Sequence, residues 1–355
     1  MPKRALEQRV TGDEDYQSHI LQGVSRTFAL TIPALPQPLC RVVSNAYLLC
    51  RIADTIEDEE TLSVRQKRYF SELFIAVLEQ QVPPDGFATE LHPLLSTQTL
   101  EAERDLIANT ERVIRLTRTF SDVEQAALQR CVRIMSRGMA EFQEAQTTAG
   151  LDDLAHLDRY CYHVAGVVGE MLTELFCEHV DAVRGERDHL LRLAVSFGQG
   201  LQMTNILKDI WDDHARGACW LPRELFTQLG VELDSLKPGA PNPAFEQGLA
   251  TLVGIARAHL ANALEYTLSF PSSDVGIRRF CLWALGMAVL TLRKIHANLG
   301  FQAGSEVKIT RFSVKSTVAT TNLVAGHDTM LRILFAAFTR RLPGAAGHKV
   351  VASSP

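Results

Sequence analysis

Two short acidic runs, Asp54-Thr55-Ile56-Glu57-Asp58 and Asp209-Ile210-Trp211-Asp212-Asp213, repeat one spacing of carboxylates 155 residues apart. Both read D-x-x-[ED]-D. At roughly 100° per residue, positions i, i+3 and i+4 share a helix face. One face therefore carries Asp54, Glu57 and Asp58, and another carries Asp209, Asp212 and Asp213. Like charges so placed repel by roughly a few tenths of a kcal/mol per pair, and near a helix C-terminus they also oppose the helix dipole. A hard divalent cation offsets both costs. Mg²⁺, commonly held through a few carboxylates together with substrate phosphates, suits this oxygen-only set. One such run would read as a solvated acidic face; its repeat, each time after an apolar helix, favours the metal.

The elements that must position these groups are the apolar-periodic runs Leu39 to Ala53 and Leu190 to Ile210. Arg51 lies three residues before Asp54, within reach of it or of an anion held there. In the helix expected over 187–213, Gln202, Asn205, Asp209 and Asp213 step by three and four through Leu, Val, Phe, Met and Ile. A polar stripe of this kind needs partners, and a hydrated or ligand-filled cavity would supply them. Ser196, Gly198 and Gly200 would then thin the cavity wall. Ser25-Arg26-Thr27-Phe28 reads either as a phosphate contact or as a helix end. Tyr160 and His163 are i, i+3 neighbours, core residues by default. Gly166 and Gly169 each cost about 1 kcal/mol within a helix, which a close helix contact or room for a ligand would justify.

The remaining pattern is helical throughout. Helices are expected over 13–30, Leu39 to Asp58, 64–82, 98–118, Ser121 to about Ala145, 152–180, 187–213, 244–269 and 274–300, with a final pair near 312–340 and with Ser121 and Glu124 forming a capping box. Pro83-Pro84-Asp85-Gly86 reads as a turn. Residues 1–12 are expected to be a flexible N-terminus and 343–355 a disordered tail, flanking one domain over 13–342. With no strand-like alternation, the fold class is all-α, antiparallel helices enclosing a central cavity.

Of 355 residues, 46% are hydrophobic and 22% charged, a globular balance. A net charge of -5 argues against a nucleic-acid partner, which needs a clustered basic surface. The seven cysteines are scattered and contain no CxxC pair; a reducing cytoplasm fits them better than a disulfide framework or zinc site. MPKRALEQRV lacks an apolar signal core, and no uninterrupted apolar run reaches the ~18 residues of a membrane span.

Taken together, SRTFAL at 25–30, RIADTIEDE at 51–59, GMAEF at 138–142, YCYHVAGVVG at 160–169 and QMTNILKDIWDDHARGACWLPREL at 202–225 resemble squalene synthases, within the wider group that includes phytoene and dehydrosqualene synthases. The resemblance spans about residues 18–325. It implies a single isoprenoid-synthase helical domain and a head-to-head condensation of two farnesyl diphosphates through presqualene diphosphate, followed by reduction with NADPH. It assigns Asp54, Glu57, Asp58, Asp209, Asp212 and Asp213 to Mg²⁺ and diphosphate, and Ser25, Arg26 and Arg51 to diphosphate. Tyr160 would act in proton removal or cation stabilisation, and Gln202 and Asn205 would stand near the second step. Lys308, with Arg311, falls in a basic segment implicated in NADPH binding, with Asn205 also assigned to the cofactor.

Two positions depart from the pattern. Lys208 replaces the usual arginine, keeping charge without bidentate reach to phosphate, and Tyr162-His163 reverses the order common in eukaryotic members. The eukaryotic enzymes carry a C-terminal anchor with no counterpart in this sequence, so a bacterial-type enzyme is implied, cytoplasmic or peripheral at the inner face of the membrane, with its oligomeric state open. The alternatives are a non-reductive presqualene diphosphate, dehydrosqualene or phytoene synthase, and a non-catalytic isoprenoid-diphosphate binding partner.

Overall fold

The structure is a computed structural model, described for residues 12–25, 27–345 and Val350. Its fold class is all-α: among the described residues the only β feature is an isolated bridge between Leu151 and Pro222. Two compact helical units divide the chain. The first runs through Ala140 apart from Ala34–Pro36; the second comprises Ala34–Pro36 and the chain from Glu141 onward.

In the first unit, α1 (Asp13–Val24) begins with Asp13, Glu14 and Asp15, which complement the helix dipole, and buries Tyr16, Ile20, Leu21 and Val24. It stops six residues short of the expected end. Ser25 turns extended, and its hydroxyl accepts the amide of Phe28 at 2.9 Å, giving the backbone a local alternative to the helix. Helix α2 (Gln37–Asp58) follows, packing through Leu39, Val42, Ala46, Leu49, Ile52 and Ile56. Helix α3 (Val64–Leu78) starts at a capping box between Ser63 and Gln66.

The expected turn at Pro83-Pro84-Asp85-Gly86 is instead the start of α4 (Pro84–Leu91), with Phe87 and Leu91 fully buried. Proline at the first helical position forfeits no hydrogen bond, and two apolar side chains one turn apart anchor the piece. The helix expected over 98–118 divides into α5 (Glu101–Ala108) and α6 (Thr110–Thr117). In α7 (Asp122–Glu144), Ser121 and Glu124 form the expected reciprocal cap, at 2.8 and 3.2 Å.

The second unit is built on α10 (Arg187–Ala215), preceded by α8 (Leu154–Cys161), a π-helical turn (Tyr162–Gly166) and α9 (Val167–His179). A methyl group added at Gly169 would fall 2.4 Å from the carbonyl oxygen of Ala194, and one at Gly198 2.3 Å from that of Ala165. Close helix contact therefore accounts for these glycines. It also corrects the expected cavity wall: Gly198 and Gly200 are buried, Gly200 lies against His259 and Leu260 of α11 (Pro243–Ser269), and Ser196 is bonded to His259 and Asn262, each at 2.9 Å.

Helix α12 (Val275–Ala297) is long and apolar enough to cross a membrane by length and composition, yet 61% of its most apolar window is buried in protein. Its Arg278 side chain is almost wholly buried, donating to the carbonyls of Phe270 and Ala325 and to Asp328, and so satisfies carbonyls near the end of α11. Three helices close the described chain: α13 (Gly304–Val307), α14 (Arg311–Val324) and α15 (Asp328–Thr339).

Candidate active site

The first acidic run occupies the last turns of α2, as expected. Tyr47, Arg51 and Asp54 follow one another along a face. The Tyr47 hydroxyl donates to the carbonyl of Val24 at 3.1 Å and accepts from Arg51 at 3.0 Å, while the Tyr47 ring meets Phe28 at 5.1 Å. The Ser25–Phe28 segment is thereby held beside the helix that carries the carboxylates. Ser25 is buried; Arg26 lies outside the described residues. The Arg51 guanidinium is 3.7 Å from Asp54 and 3.7 Å from Glu103 of α5. Glu103 was missed in the sequence because it stands 49 residues from Asp54 in an ordinary amphipathic helix, and nothing local distinguishes it.

Burial raises the Asp54 carboxyl to about 7; Arg51 works against the shift, and Asp58 and Glu103 reinforce it. Its side chain nonetheless keeps 28% exposure, so the group is crowded by protein while open to solvent. Glu57 is raised to about 8 by burial and by the charges of Asp58 and Asp54, and Lys67 places its amine on the Glu57 carbonyl. These carboxylates are short of positive charge. Mg²⁺ is a fit to that deficit and to the all-oxygen donor set. Among the described residues, no three His, Cys, Asp or Glu side chains form a cage by themselves; Mg²⁺ usually keeps waters and substrate phosphates in its shell.

Glu59 follows the run but does different work. Its carboxylate accepts from the Thr61 amide and hydroxyl, the Ser96 amide and the Thr99 hydroxyl at 2.5–3.0 Å. Burial acts to raise its pKa, yet these donors prevail and lower it from 4.5 to about 2. The folded value lies below the unfolded one, so its stabilisation is fully present above about pH 4.5 and disappears as pH falls toward 2. Glu59→Gln is expected to cost about 1–3 kcal/mol at pH 7. In thermal melts its deficit against wild type should shrink as pH falls through that window; a deficit independent of pH would refute the clamp.

The second run ends α10, and its carboxylates are unequal. Asp209 pairs with Lys208 at 3.1 Å, and Asp213 is buried and pairs with Arg216 at 2.6 Å. Burial raises the Asp213 carboxyl while Arg216 pulls it down. Asp212 is exposed. Gly304, at the start of α13, fits closely here: a methyl group on it would lie 3.0 Å from the Lys208 carbonyl, 3.2 Å from Asp212 and 3.4 Å from Asp209. Gln202 is half-buried and Asn205 exposed, accepting from Lys208 at 3.4 Å, so the polar stripe leaves the core as it approaches the acidic run.

Lys308 and Arg311, both exposed, flank the link from α13 to α14, and Lys294 donates to the Lys308 carbonyl at 2.7 Å. Lys308 and Arg311 thus follow directly on the helix that abuts Asp209 and Asp212, and Lys294 of α12 is held beside them. Exposed cations so placed can pair with an anionic group.

Tyr160 is half-buried, its ring stacked on Trp220 at 4.3 Å with 7° between planes, and edge-on to Phe142 at 5.1 Å. His163 meets the same Phe142 at 6.0 Å, so the expected shared direction holds. Tyr162 is the core tyrosine, bonded to buried Glu170 at 3.0 Å. The stack is set by backbone pairing: Cys219 donates to Thr147, Leu151 to Leu221, and Arg223 to Leu151. The loop bearing Trp220 is thereby joined to the segment leading into α8. Gly150, at φ +87°, allows the approach, since a side chain there would meet the Leu221 carbonyl at 2.5 Å.

A squalene/phytoene synthase family profile matches residues 21–313. The chain is 30% identical over 281 residues to squalene synthase of Homo sapiens, covering 78% of this chain and 62% of that protein. It is 29% identical over 279 residues to squalene synthase ERG9 of Gibberella zeae, covering 77% and 57%. It thus spans about 60% of the length of these relatives. The structure of TcSQS with the ligand BPH1237 aligns with a TM-score of 0.71 and 26% identity over 95% of this chain and 93% of that one. A ligand complex of a dehydrosqualene synthase, at 0.62 and 19% identity over 88% and 95%, shares the fold.

Proposed function

Because the chain belongs to the squalene/phytoene synthase family, we propose that it is a bacterial-type squalene synthase, joining two farnesyl diphosphates through presqualene diphosphate and reducing that intermediate with NADPH. The observation that carries this reading is the state of Asp54 and Glu57, crowded carboxylates with raised pKa values beside Arg51. Such a set suits a cation-bridged diphosphate better than it suits any role in the core. The relatives named squalene synthase support the choice within the family.

Mg²⁺, when bound, neutralises charge on the departing diphosphate. Asp54, Glu57 and Asp58 would hold it at the first run, and Asp209, Asp212 and Asp213 at the second. Arg51, anchored by Tyr47, offers a fixed guanidinium to diphosphate oxygens; Ser25, on the segment that Tyr47 also holds, and its sequence neighbour Arg26 would add to it. Lys208 adds a point charge beside Asp209. Tyr160, held flat on Trp220, presents its hydroxyl for proton removal or cation stabilisation. NADPH, when bound, supplies hydride; Lys308 and Arg311 would engage its phosphates, and Asn205 and Gln202 would orient the second step.

The test is to incubate the protein with farnesyl diphosphate and Mg²⁺, with and without NADPH, and identify the extracted lipids by mass spectrometry. Squalene is expected with NADPH, and dehydrosqualene or hydroxylated products without it. Lys308→Ala with Arg311→Ala should raise the KM for NADPH about tenfold or more and spare presqualene diphosphate formation. A product indifferent to NADPH would replace this reading with a non-reductive synthase.

A further inference from the structure

Helices α14 and α15 turn large apolar side chains to solvent. Phe312 and Leu323 are 79% and 80% exposed, and a separation of eleven residues, three turns, puts them on one side of α14. Met330 and Ile333 lie one turn apart on α15, 50% and 62% exposed, and Phe338 is exposed near its end. Between the helices an open groove of about 280 Å³ is lined by Leu282, Leu285, Val289, Phe312, Leu334 and Phe338 among others. Phe312 and Phe338 belong both to the exposed set and to the groove; single exposed apolar residues need no explanation, but five on two consecutive helices beside an apolar groove mark an interaction surface.

Charge identifies what the surface fits. From Lys308 to Ala345 the chain carries six cations (Lys308, Arg311, Lys315, Arg332, Arg340 and Arg341) and one acid, Asp328, a local charge of +5 in a protein of net -5. Asp328 is paired with buried Arg278, and Arg332 with Glu265. Arg293 adds a further cation 5.0 Å over the Phe338 ring. Exposed apolar groups flanked by cations, on a pair of surface helices, match the interface of an anionic bilayer: the apolar side chains reach the acyl boundary and the cations stay at the phosphates. The acidic remainder of the chain would be repelled from the same surface, which fixes orientation.

We propose that α14 and α15 lie in the plane of an anionic lipid bilayer, with Phe312, Leu323 and Ile333 inserted and Lys315, Arg340 and Arg341 on lipid phosphates. This inference stands on the surface alone and holds whatever reaction the protein catalyses.

The experiment is cosedimentation of the whole protein with vesicles of phosphatidylcholine, or of phosphatidylcholine and phosphatidylglycerol in equal parts. Binding to the mixed vesicles is expected, with little to the neutral ones, and it should weaken as salt is raised. The triple variant Lys315→Gln, Arg340→Gln, Arg341→Gln should bind about fivefold more weakly per cation, on the order of 100-fold together. Phe312→Ser with Leu323→Ser should also lose binding, with an unchanged circular dichroism spectrum and melting temperature because both side chains are exposed. Equal binding to neutral and anionic vesicles, no binding to either, or wild-type binding by either variant would overturn the proposal. So would a dimer formed without vesicles and dissolved by Phe312→Ser with Leu323→Ser, which would make the face an interface between copies of this chain.

Discussion

Asp54→Asn and Asp209→Asn are each expected to leave a folded helical protein that consumes farnesyl diphosphate at about a hundredth to a thousandth of the wild-type rate, the scale of losing a main stabiliser of transition-state charge. The substitution keeps the shape of the side chain and removes only its charge. Neither carboxylate supports the core: Asp54 is partly exposed and ionises against its neighbours, and Asp209 is half-buried with Lys208 as its ion-pair partner. Their melting temperatures should therefore match wild type, since for Asp54→Asn relief of the cost of burying the charge offsets the lost attraction of Arg51. Titrating Mg²⁺ by calorimetry separates the causes, since lost turnover should come with weakened metal-dependent diphosphate binding. Near-normal activity in either variant, with Mg²⁺ still required, would refute the assignment.

Tyr160→Phe should lower the rate of presqualene diphosphate formation about 100-fold or more, within the range for a positioned acid or base, while farnesyl diphosphate binds as before. The stack on Trp220 and the edge contact with Phe142 depend on the ring, which phenylalanine retains. Loss of rate with preserved binding and stability would therefore belong to the hydroxyl. Single-turnover measurement of the first step decides the matter; an unchanged rate would make Tyr160 a packing residue.

Local chemistry was legible in the sequence wherever neighbours along the chain determine it. The capping box at Ser121 and Glu124, the position of both acidic runs at helix ends and the Arg51–Asp54 pair all follow from spacing along one stretch of chain. Contacts made by remote segments were not. Glu103 reaches Arg51 across 52 residues, and Trp220 reaches Tyr160 across 60 through paired loops, and neither leaves a periodic trace. The glycines of α10 posed the opposite difficulty. A small residue is required equally by a cavity and by a close helix contact, and only the positions of the Ala165 carbonyl at Gly198 and of His259 and Leu260 at Gly200 decide for the contact. At Pro84 and at Ser25, proline and serine can either start or interrupt a helix, and burial of Phe87 and the Ser25–Phe28 hydrogen bond settle the two cases in opposite directions.

The π-helical turn at Tyr162–Gly166 bears on how this helix could have changed its length. Such a turn holds one residue more than the α-helical turn it replaces, so the rods on either side are aimed independently. Upstream, Tyr160 is directed to Trp220; downstream, Gly169 is directed to the Ala194 backbone. Removing one residue to leave an unbroken α-helix would swing one rod against the other by about 100°, and the tyrosine and the glycine could no longer both meet their partners. In insertion and deletion scanning, this single turn should thus be the least forgiving place in an otherwise regular helix.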